Sequence, residues 1–329
     1  MGFILGNVKL EYGIMLAPMA GFSDSAMRRI SRDMGAEYSV TEMVSAKAVC
    51  FGDKKTTSLA AIRKEEGPVG LQIFGSEPDI MAKAAEILSR GCGGEFVPPV
   101  AIDINMGCPV NKIFGNGEGS ALMKNPELIY RIVRATASAT DLPVTVKLRR
   151  GVNSESVNAV ECALAAQEGG ARMICLHGRT RVEMYSGKVN KEIIKDVKNA
   201  LHIPLVANGD IVCGQDALDM LRYTGADGVA VGRGAVGNPF IFREILAALR
   251  GEPYTPPSRR EIVEVALLQL SLSVEEKGER VAVPEARKQI ASYIHGFSGA
   301  ANIRARINEK GKYSEVRDIL LSVLDSAEN

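Results

Sequence analysis

The sequence contains no tryptophan, and aromatic residues make up only 5% of its 329 positions. Proteins that hold single-stranded nucleic acid without sequence preference stack bases on rows of aromatic side chains, so a platform of that kind is not expected here. An excess of one charge is missing as well, because 40 basic residues face 39 acidic ones and the formal net charge is +1. Any contact with nucleic acid must therefore come from a local basic patch.

Cysteine pairs at metal-binding or redox spacing are also missing. No CxxC sequence occurs and only three histidines are present, so no zinc site or other metal site is predicted. The scattered cysteines do not indicate a disulfide framework, which fits a protein of the reducing cytoplasm. They are Cys50, Cys92, Cys108, Cys162, Cys175 and Cys213.

Long hydrophobic runs do not occur. The apolar stretch 1–20 is interrupted by Lys9 and Glu11 and has no basic leader, so it is not interpreted as a signal peptide. No apolar run reaches the roughly 20 residues that cross a bilayer, and no membrane association is predicted. With 46% apolar and 24% charged residues, the composition is that of a globular enzyme, which we expect to be monomeric and cytoplasmic.

The chain shows instead a regular alternation of short apolar runs with amphipathic stretches. The runs typical of buried strands are Ile14–Ala17, Tyr38–Thr41, Val69–Ile73, Ala101–Asn105, Val144–Leu148, Met173–His177, Leu205–Asn208 and Gly228–Val231. Helical periodicity lies between them, at Ser25–Asp33, Pro78–Ser89, Pro126–Thr140, Val157–Glu168 and Gln215–Tyr223. This pattern predicts an α/β fold, a TIM (β/α)8 barrel of about 250 residues. A doubly wound open sheet is the alternative, disfavoured because no GxGxxG follows the first strand.

The C-terminal part of the chain has a different pattern. Phe240–Arg250 is predicted to be the last barrel helix, and the next segment, 251–258, contains three prolines, which resist helix and predict a linker. Helical periodicity without any strand pattern follows, at Arg259–Gly278, Pro284–Gly296 and Lys312–Ala327.

The predicted organisation is a catalytic barrel over 1–250, a linker over 251–258 and a small all-helical domain over 259–329. The irregular segment 91–99 is interpreted as a surface loop. Basic residues recur in the helical part, where they can be a solvated helix face or a surface that contacts phosphates. They are Arg280, Arg287, Lys288, His295, Arg304, Arg306, Lys310 and Lys312.

Residue parity separates the barrel interior from the helix-covered side, because side chains alternate faces along a strand. In the third to sixth strands the aliphatic residues share one parity and the polar residues share the other. A single inward polar residue is usually a satisfied core group. Several at the same strand ends are hard to explain by packing, since each unpaired buried polar group costs about 1–3 kcal/mol, and barrel active sites form at that end. The inward-facing residues are Gln72, Asn105, Lys147, Arg149 and His177.

Glycine-containing loops follow the seventh and eighth strands, as Asn208-Gly209-Asp210 and Gly232-Arg233. Glycine lets backbone N–H groups approach an anion closely, and a guanidinium adds charge. One such loop alone is equally well explained by a tight turn. Both together, at the two positions where β/α barrels commonly bind phosphate, favour a phosphate site.

A phosphate-bearing cofactor with a planar ring needs a floor of small groups and partners for its polar edge. The segment Ala17–Gly21 after the first strand supplies small residues, and Gln72 and Lys147 can reach the polar edge. A lysine at that edge would stabilise an anionic reduced flavin. These residues suggest FMN without demonstrating it.

Cys108 differs from the other cysteines in its position. A free cysteine is usually a small buried hydrophobic residue, and that interpretation suits Cys162 on a helix and Cys175 in a strand. Cys108 instead follows the fourth strand, between Gly107 and Pro109, in a loop over the catalytic face. A thiol there can act as general acid toward a carbon that has accepted hydride.

Taken together, these segments resemble the tRNA-dihydrouridine synthase family, and most closely its bacterial DusB-like branch. They occur in family order over about residues 10–240, and the most specific of them is Asp103-Ile-Asn-Met-Gly-Cys-Pro109. Local departures at 22–23, 91–99 and 111–114 touch no residue that carries chemistry. The other matching stretches are Ala17-Pro-Met-Ala-Gly21, Leu71-Gln-Ile-Phe-Gly75, Gly117-Glu-Gly-Ser-Ala-Leu122, Val146-Lys-Leu-Arg149, Leu176-His-Gly-Arg-Thr180, Ala207-Asn-Gly-Asp210 and Gly232-Arg-Gly234.

The resemblance implies a role for each matching residue, with Cys108 as the proton donor. The residues implied to contact the flavin ring are Pro18, Met19, Ala20, Gln72, Lys147 and His177. Those implied to hold the ribityl phosphate are Asn208, Gly209, Asp210, Gly232 and Arg233. Those implied to hold the uracil or a nearby phosphate are Asn105, Arg149 and Arg179.

The reaction implied by the resemblance is the reduction of uridine to 5,6-dihydrouridine in tRNA, with NADPH as the reductant of FMN. Flavin N5 would deliver hydride to C6 of the base, and Cys108 would protonate C5. The alternatives are a dihydrouridine synthase acting on ribosomal RNA, an FMN barrel acting on a free pyrimidine in the manner of dihydroorotate dehydrogenase, and a non-catalytic RNA-binding barrel. The uridine position and the choice of NADPH over NADH stay open.

Overall fold

The computed structural model describes residues 2–325, apart from the side chains at positions 54, 55, 57 and 325. All the strands predicted from the sequence are present, and two of them run about three residues further than predicted. The strands are β1 (Phe3–Leu5), β2 (Val8–Leu10), β3 (Ile14–Leu16), β4 (Tyr38–Val40), β5 (Val44–Ser45), β6 (Val69–Phe74), β7 (Ala101–Met106), β8 (Val144–Gly151), β9 (Met173–Thr180), β10 (Leu205–Asn208) and β11 (Gly228–Val231).

Strands β3, β4 and β6 to β11 form a closed parallel barrel. Each pairs in parallel with the next along the chain, and β11 returns to β3, where Val231 lies opposite Leu16. The pairing of Val40 in β4 with Gly70 in β6 completes the ring. The predicted TIM barrel is therefore confirmed, and the open-sheet alternative is wrong.

A hairpin that the strand pattern does not predict covers the amino-terminal end of the barrel. Strands β1 and β2 pair antiparallel around the turn at Gly6 and Asn7. Their residues Leu5 and Leu10 are fully buried against barrel residues such as Met15. The Gly-Asn pair between two apolar runs is a hairpin signal, so the sequence does contain an indication of this element.

Helices surround the barrel and form the C-terminal part of the chain. No helix within residues 2–325 is both long enough and apolar enough to cross a bilayer. The helices are α1 (Ser25–Asp33), α2 (Ala46–Cys50), α3 (Lys54–Leu59), α4 (Pro78–Leu88), α5 (Asn111–Gly115), α6 (Pro126–Ser138), α7 (Ala159–Gly169), α8 (Lys191–Ala200), α9 (Gly214–Thr224), α10 (Ile241–Arg250), α11 (Arg259–Lys277), α12 (Glu279–Tyr293), α13 (Ala300–Asn308) and α14 (Tyr313–Asp325).

The helix boundaries follow ordinary capping chemistry. Asp24 accepts a hydrogen bond from the Met27 N–H at the start of α1, and Asn125 does the same for α6, which has a proline in its first turn. Helix α10 ends at Gly251, which has a φ of +69°. Helices α8 and α13 were not predicted from the sequence, and each buries only two apolar residues.

The C-terminal helices differ from the prediction at one boundary. Residues 252–258 have no regular secondary structure, and α11 begins at Arg259 as expected. Helix α12, however, begins five residues before Pro284, although this proline was predicted to be its first residue. Burial of Ala282 and Val283 stabilises the first turn and offsets the backbone hydrogen bond that proline cannot make. The last predicted helix, 312–327, extends in part beyond the described residues.

The C-terminal helices pack on the barrel beside the loop that follows β3. Lys277 in α11 donates a hydrogen bond to Asp24 over 2.8 Å, and this carboxylate also caps α1. Within the helical part, the buried Gln269 accepts a hydrogen bond from Tyr293 over 2.7 Å and donates one to Gln289 over 2.9 Å. The C-terminal helices are thereby held close to the catalytic face of the barrel.

Candidate active site

The carboxyl ends of the barrel strands surround a cavity of about 680 Å³. All fifteen residues that the sequence nominates for the site line this cavity, including the thiol-bearing Cys108 and both glycine loops. These residues therefore lie close enough together to form one site. The role of each residue remains a prediction. Within residues 2–325 no group of three or more His, Cys, Asp or Glu side chains is placed to hold a metal ion.

Other residues of the cavity wall are not predicted from the sequence. Tyr185, in the loop after β9, is 50% exposed, and its ring centroid lies 4.6 Å from the Arg233 guanidinium. No periodic pattern marks this residue, because irregular loops carry none and only the folded loop places the ring at the rim. The further lining residues with bulky side chains are Phe22, Met43, Val110, Ile211 and Val212.

The loops after β10 and β11 meet at one side of the cavity. A Cβ atom at Gly234 would lie 2.2 Å from the Ile211 carbonyl oxygen, so glycine is required for the two loops to touch. Asp210 adopts a positive φ of +53°, which is uncommon for a residue other than glycine. Among the described residues none accepts a hydrogen bond from Arg233. An unpaired guanidinium beside glycine loops is an arrangement that binds phosphate.

Arg179 joins the loop after β9 to the loop after β10 from the barrel interior, where it is only 1% exposed. It donates to the backbone carbonyls of Ser186 over 2.9 Å and Gly187 over 2.6 Å. It also forms an ion pair with Asp210, with 2.7 Å between Nη2 and Oδ1. Most of its N–H groups therefore donate hydrogen bonds to other protein groups, and Arg179 holds two loops together. Its predicted contact with substrate stays a prediction.

His177 is held in its neutral form. The Nη1 atom of Arg179 lies 3.3 Å from His177 Nε2, and because a guanidinium can only donate, Nε2 must accept and the ring proton lies on Nδ1. Burial, together with four neighbouring positive charges, lowers the pKa of His177 to about 2. The ring therefore offers an uncharged N–H donor to the cavity throughout the physiological pH range.

We expect the imidazole NMR resonances of His177 to stay unchanged between pH 4 and pH 8. The His177→Asn variant assigns those resonances by their disappearance. The unfolded chain binds a proton at His177 below pH 6.5 whereas the folded chain does not, so this residue should make the fold less stable as the pH falls from 7 to 4. A titration of His177 with a midpoint between pH 5 and pH 7 would contradict the neutral assignment.

Lys147 brings a cation into the cavity. Its Nζ donates to Asn208 Oδ1 over 3.1 Å, and the Asn208 amide is oriented by donating to the Ala230 carbonyl over 2.7 Å. Burial lowers the pKa of Lys147, and the nearby Asp103 carboxylate acts in the opposite direction. Because one N–H of the ammonium is engaged by Asn208, two remain for a ligand.

Arg149 connects the loop after β7 with the loop after β9. Its Nε donates to the Gly107 carbonyl over 2.8 Å, and its Nη1 donates to the carbonyls of Thr180 over 2.8 Å and Met184 over 2.9 Å. Met184 has a φ of +48°, an uncommon conformation that points its carbonyl toward the guanidinium. Arg149 thus fixes both loops at the mouth of the cavity, a role additional to its predicted contact with substrate.

The Cys108 loop is held on both sides of the cysteine. The Cys108 N–H donates to Asn105 Oδ1 over 2.9 Å, and its carbonyl accepts a hydrogen bond from the Ser120 hydroxyl over 2.7 Å. Burial raises the pKa of the Cys108 thiol above its ordinary value of 9.0, although the charge of Arg149 acts in the opposite direction. The thiol is therefore protonated at neutral pH, which is the form that a proton donor requires.

The sequence model described as "Dihydrouridine synthase (Dus)" matches this chain over residues 15–328. The chain belongs to the dihydrouridine synthase family. One relative, the "Probable tRNA-dihydrouridine synthase" of Rickettsia conorii, is 38% identical over 306 residues, which cover 92% of this chain and 91% of the relative. The "tRNA-dihydrouridine synthase B" of Shewanella oneidensis is 38% identical over 292 residues, 88% of each chain.

Membership of the dihydrouridine synthase family confirms the resemblance carried by the sequence motifs, including the similarity to the B-type branch. A solved structure of histamine dehydrogenase from Rhizobium sp. 4-9 superimposes with a TM-score of 0.57 at 12% identity. The superposition covers 88% of this chain and 50% of that one. At such low identity the likeness concerns the fold alone.

Proposed function

We propose that this member of the dihydrouridine synthase family reduces uridine to 5,6-dihydrouridine in tRNA with FMN and NADPH. The proposal is carried by the convergence in one cavity of the protonated Cys108 thiol, the Lys147 cation and the unpaired Arg233 guanidinium. The printed names of the relatives from Rickettsia conorii and Shewanella oneidensis support tRNA as the substrate.

The cavity fits FMN at its phosphate end. Arg233 has no protein acceptor among the described residues, and the glycine loops after β10 and β11 bring backbone N–H groups to the same side. Asp210 would repel a phosphate, but its carboxylate is neutralised by the ion pair with Arg179. The volume of about 680 Å³ lies within the range of cofactor sites.

Other parts of the cavity lining suit a planar ring with a polar edge. Pro18, Met19 and Ala20 line the cavity with small or flexible groups, and Lys147 and His177 each keep N–H groups that no atom of the described residues accepts. Bound FMN would supply the hydride for C6 of the base. Lys147 would place its positive charge near the ring, which favours negative charge there.

The cysteine would supply the proton. Because burial keeps the Cys108 thiol protonated at neutral pH, it can give its proton to C5 without first collecting one. The thiolate left behind would be stabilised by the neighbouring charge of Arg149. The uridine must leave the stacked RNA to reach this position, since its C6 is inaccessible while stacked.

We further propose that residues 259–329 form the RNA-binding part, joined through 251–258 to a catalytic barrel over 1–250. Its helix α12 reaches the edge of the cavity, where the Lys288 ammonium lies 4.3 Å from the centroid of the Phe22 ring. Phe22 itself lines the cavity. A basic side chain at this edge is well placed to meet a phosphate next to the extracted nucleotide.

The test is to incubate the FMN-loaded protein anaerobically with NADPH and with tRNA or ribosomal RNA that lacks the modification. We expect mass spectrometry to detect dihydrouridine in tRNA. Dihydrouridine in ribosomal RNA alone would move the substrate to that RNA. If neither RNA is modified while the flavoprotein still oxidises NADPH, the proposed substrate is wrong, and activity on free uracil or uridine would identify a small-molecule substrate instead.

A further inference from the structure

A carboxylate is buried beneath the cavity and is held by hydrogen bonds. Asp103 lies in the middle of β7 and is 2% exposed, and among the described residues no cation forms an ion pair with it. Burial raises the pKa of Asp103, while hydrogen bonds from Thr145 and Gln72 and the charge of Lys147 act in the opposite direction. Burying a carboxylate is costly unless hydrogen bonds satisfy it, so the groups that donate to Asp103 matter.

A continuous chain of hydrogen bonds runs from this carboxylate to the catalytic loop. Gln72 Nε2 donates to Asp103 Oδ2 over 2.7 Å, and Gln72 Oε1 accepts from Asn105 Nδ2 over 2.8 Å. Asn105 Oδ1 then accepts from the N–H groups of Gly107 over 3.2 Å and Cys108 over 2.9 Å. These hydrogen bonds therefore connect the core of the barrel to the backbone of Cys108, the residue that carries the thiol.

The donors and acceptors in this series of hydrogen bonds have a fixed order. Each amide has a donating end and an accepting end of nearly equal size, so shape alone does not decide its orientation. The oxygen of Asp103 accepts, which draws Nε2 of Gln72 toward it and leaves Oε1 to accept from Asn105. Asn105 must then present Oδ1 to the loop. A reversed Gln72 would set two acceptors against each other at Asp103 and two donors against each other at Asn105.

We propose that Asp103 is a positioning residue that holds the Cys108 loop in place by orienting Gln72 and, through it, Asn105. The loop is anchored by Arg149 and Ser120 as well, through the carbonyls of Gly107 and Cys108. The Asn105 contact is the one that links the N–H groups of the loop to Asp103. The consequence for catalysis rests on the proposed function, whereas the consequence for the loop rests on the hydrogen bonds alone.

Hydrogen exchange at the amides of Gly107 and Cys108 tests the loop directly. In Asp103→Leu the carboxylate acceptor is removed, and we expect these amides to exchange about tenfold faster than in the wild type. Asp103→Asn should exchange like the wild type, because its amide oxygen can accept from Gln72 while its nitrogen donates to the Thr145 hydroxyl. If Asp103→Leu does not fold, Gln72→Leu breaks the next link and should give the same acceleration.

Thr145→Val is the matched control. The Thr145 hydroxyl donates to the other oxygen of Asp103 over 2.5 Å, but it does not lie between Asp103 and the loop. Its loss should leave the exchange of the two amides unchanged. Equal acceleration in Thr145→Val and Asp103→Leu would mean general loosening of the barrel and would overturn the proposal, as would unchanged exchange in Asp103→Leu.

The catalytic consequence is measured as the rate of dihydrouridine formation relative to the rate at which NADPH reduces the bound flavin. We expect this ratio to fall about tenfold in Asp103→Leu and to recover in Asp103→Asn, because a displaced thiol protonates the base less often. If Asp103→Leu has the same ratio as the wild type, the proposed effect of Asp103 on catalysis is wrong. If the wild type forms no dihydrouridine while the exchange results hold, the proposed function fails and the positioning of the loop stands.

Discussion

Replacement of Cys108 by alanine is expected to lower the rate of dihydrouridine formation by a factor of about 10²–10⁴, the usual contribution of a positioned general acid. The thiol is the group that burial keeps protonated at the mouth of the cavity. Alanine retains the backbone N–H and carbonyl that fix the loop to Asn105 and Ser120. FMN content and the rate at which NADPH reduces the flavin should therefore stay close to those of the wild type.

Rapid mixing measures this effect on a single step. The protein is first reduced with NADPH and then mixed anaerobically with unmodified tRNA, and the reoxidation of the flavin is followed by absorbance. The control is Cys50→Ala, which changes another half-buried cysteine whose contact is with the Ile80 carbonyl. A reoxidation rate in Cys108→Ala equal to that of the control would remove Cys108 from the proposed role.

The same step should depend on pH in a defined direction. A proton donor acts only while it is protonated, and the pKa of Cys108 is raised above 9.0. We therefore expect the reoxidation rate of the wild type to be constant through neutral pH and to fall as the pH rises beyond 9. His177 should add no transition near pH 6, because its pKa is lowered to about 2.

Replacement of Arg28 by methionine is expected to lower the free energy of unfolding by about 3–5 kcal/mol, the usual cost of leaving a buried charge without its partner. The side chains of Arg28 and Glu66 are 3% and 0% exposed, and their ion pair measures 2.6 Å. Arg28 also donates to the Ser23 carbonyl over 2.7 Å. The loop that carries Pro18 to Ala20 should loosen as well, so that FMN binds more weakly.

Urea unfolding of the Arg28→Met protein measures the loss, and a double variant isolates its cause. Glu66 Oε1 accepts hydrogen bonds from the Ser25 hydroxyl and the Arg63 N–H, and glutamine at this position can keep both. The double variant Arg28→Met, Glu66→Gln therefore removes the unpaired charge and should be more stable than Arg28→Met alone. Equal stability of the two variants would show that lost packing, and not an unpaired charge, is responsible.

Much of the fold could be predicted because its signals are local. Runs such as Val144–Leu148 are apolar on the helix-facing parity, and capping residues such as Asp24 mark where helices begin. The start of α12 could not be predicted in the same way. Pro284 is a local signal for a helix start, but the burial of Ala282 and Val283 against other helices outweighs it.

For the candidate site, the sequence predicted which residues face the cavity but not which hydrogen bonds they make. Strand parity identifies inward-facing residues such as Lys147, since alternation is a property of the strand itself. Strand parity does not indicate how many of a side chain's hydrogen bonds are made to other groups of the protein. Arg149 and Arg179 were predicted to hold substrate, yet most of their N–H groups are engaged by backbone carbonyls of the protein and, for Arg179, by Asp210.

By itself, the sequence determined the order of the barrel strands, the barrel, the identity of the inward-facing residues and the family resemblance, because each depends on spacing along the chain. Only the tertiary structure decided what those residues do to one another. The raised pKa of Cys108, the neutral state of His177 and the connection from Asp103 to the cysteine loop depend on burial and on contacts between distant segments. Such contacts are set by how the strands close into a barrel, and no local pattern specifies them.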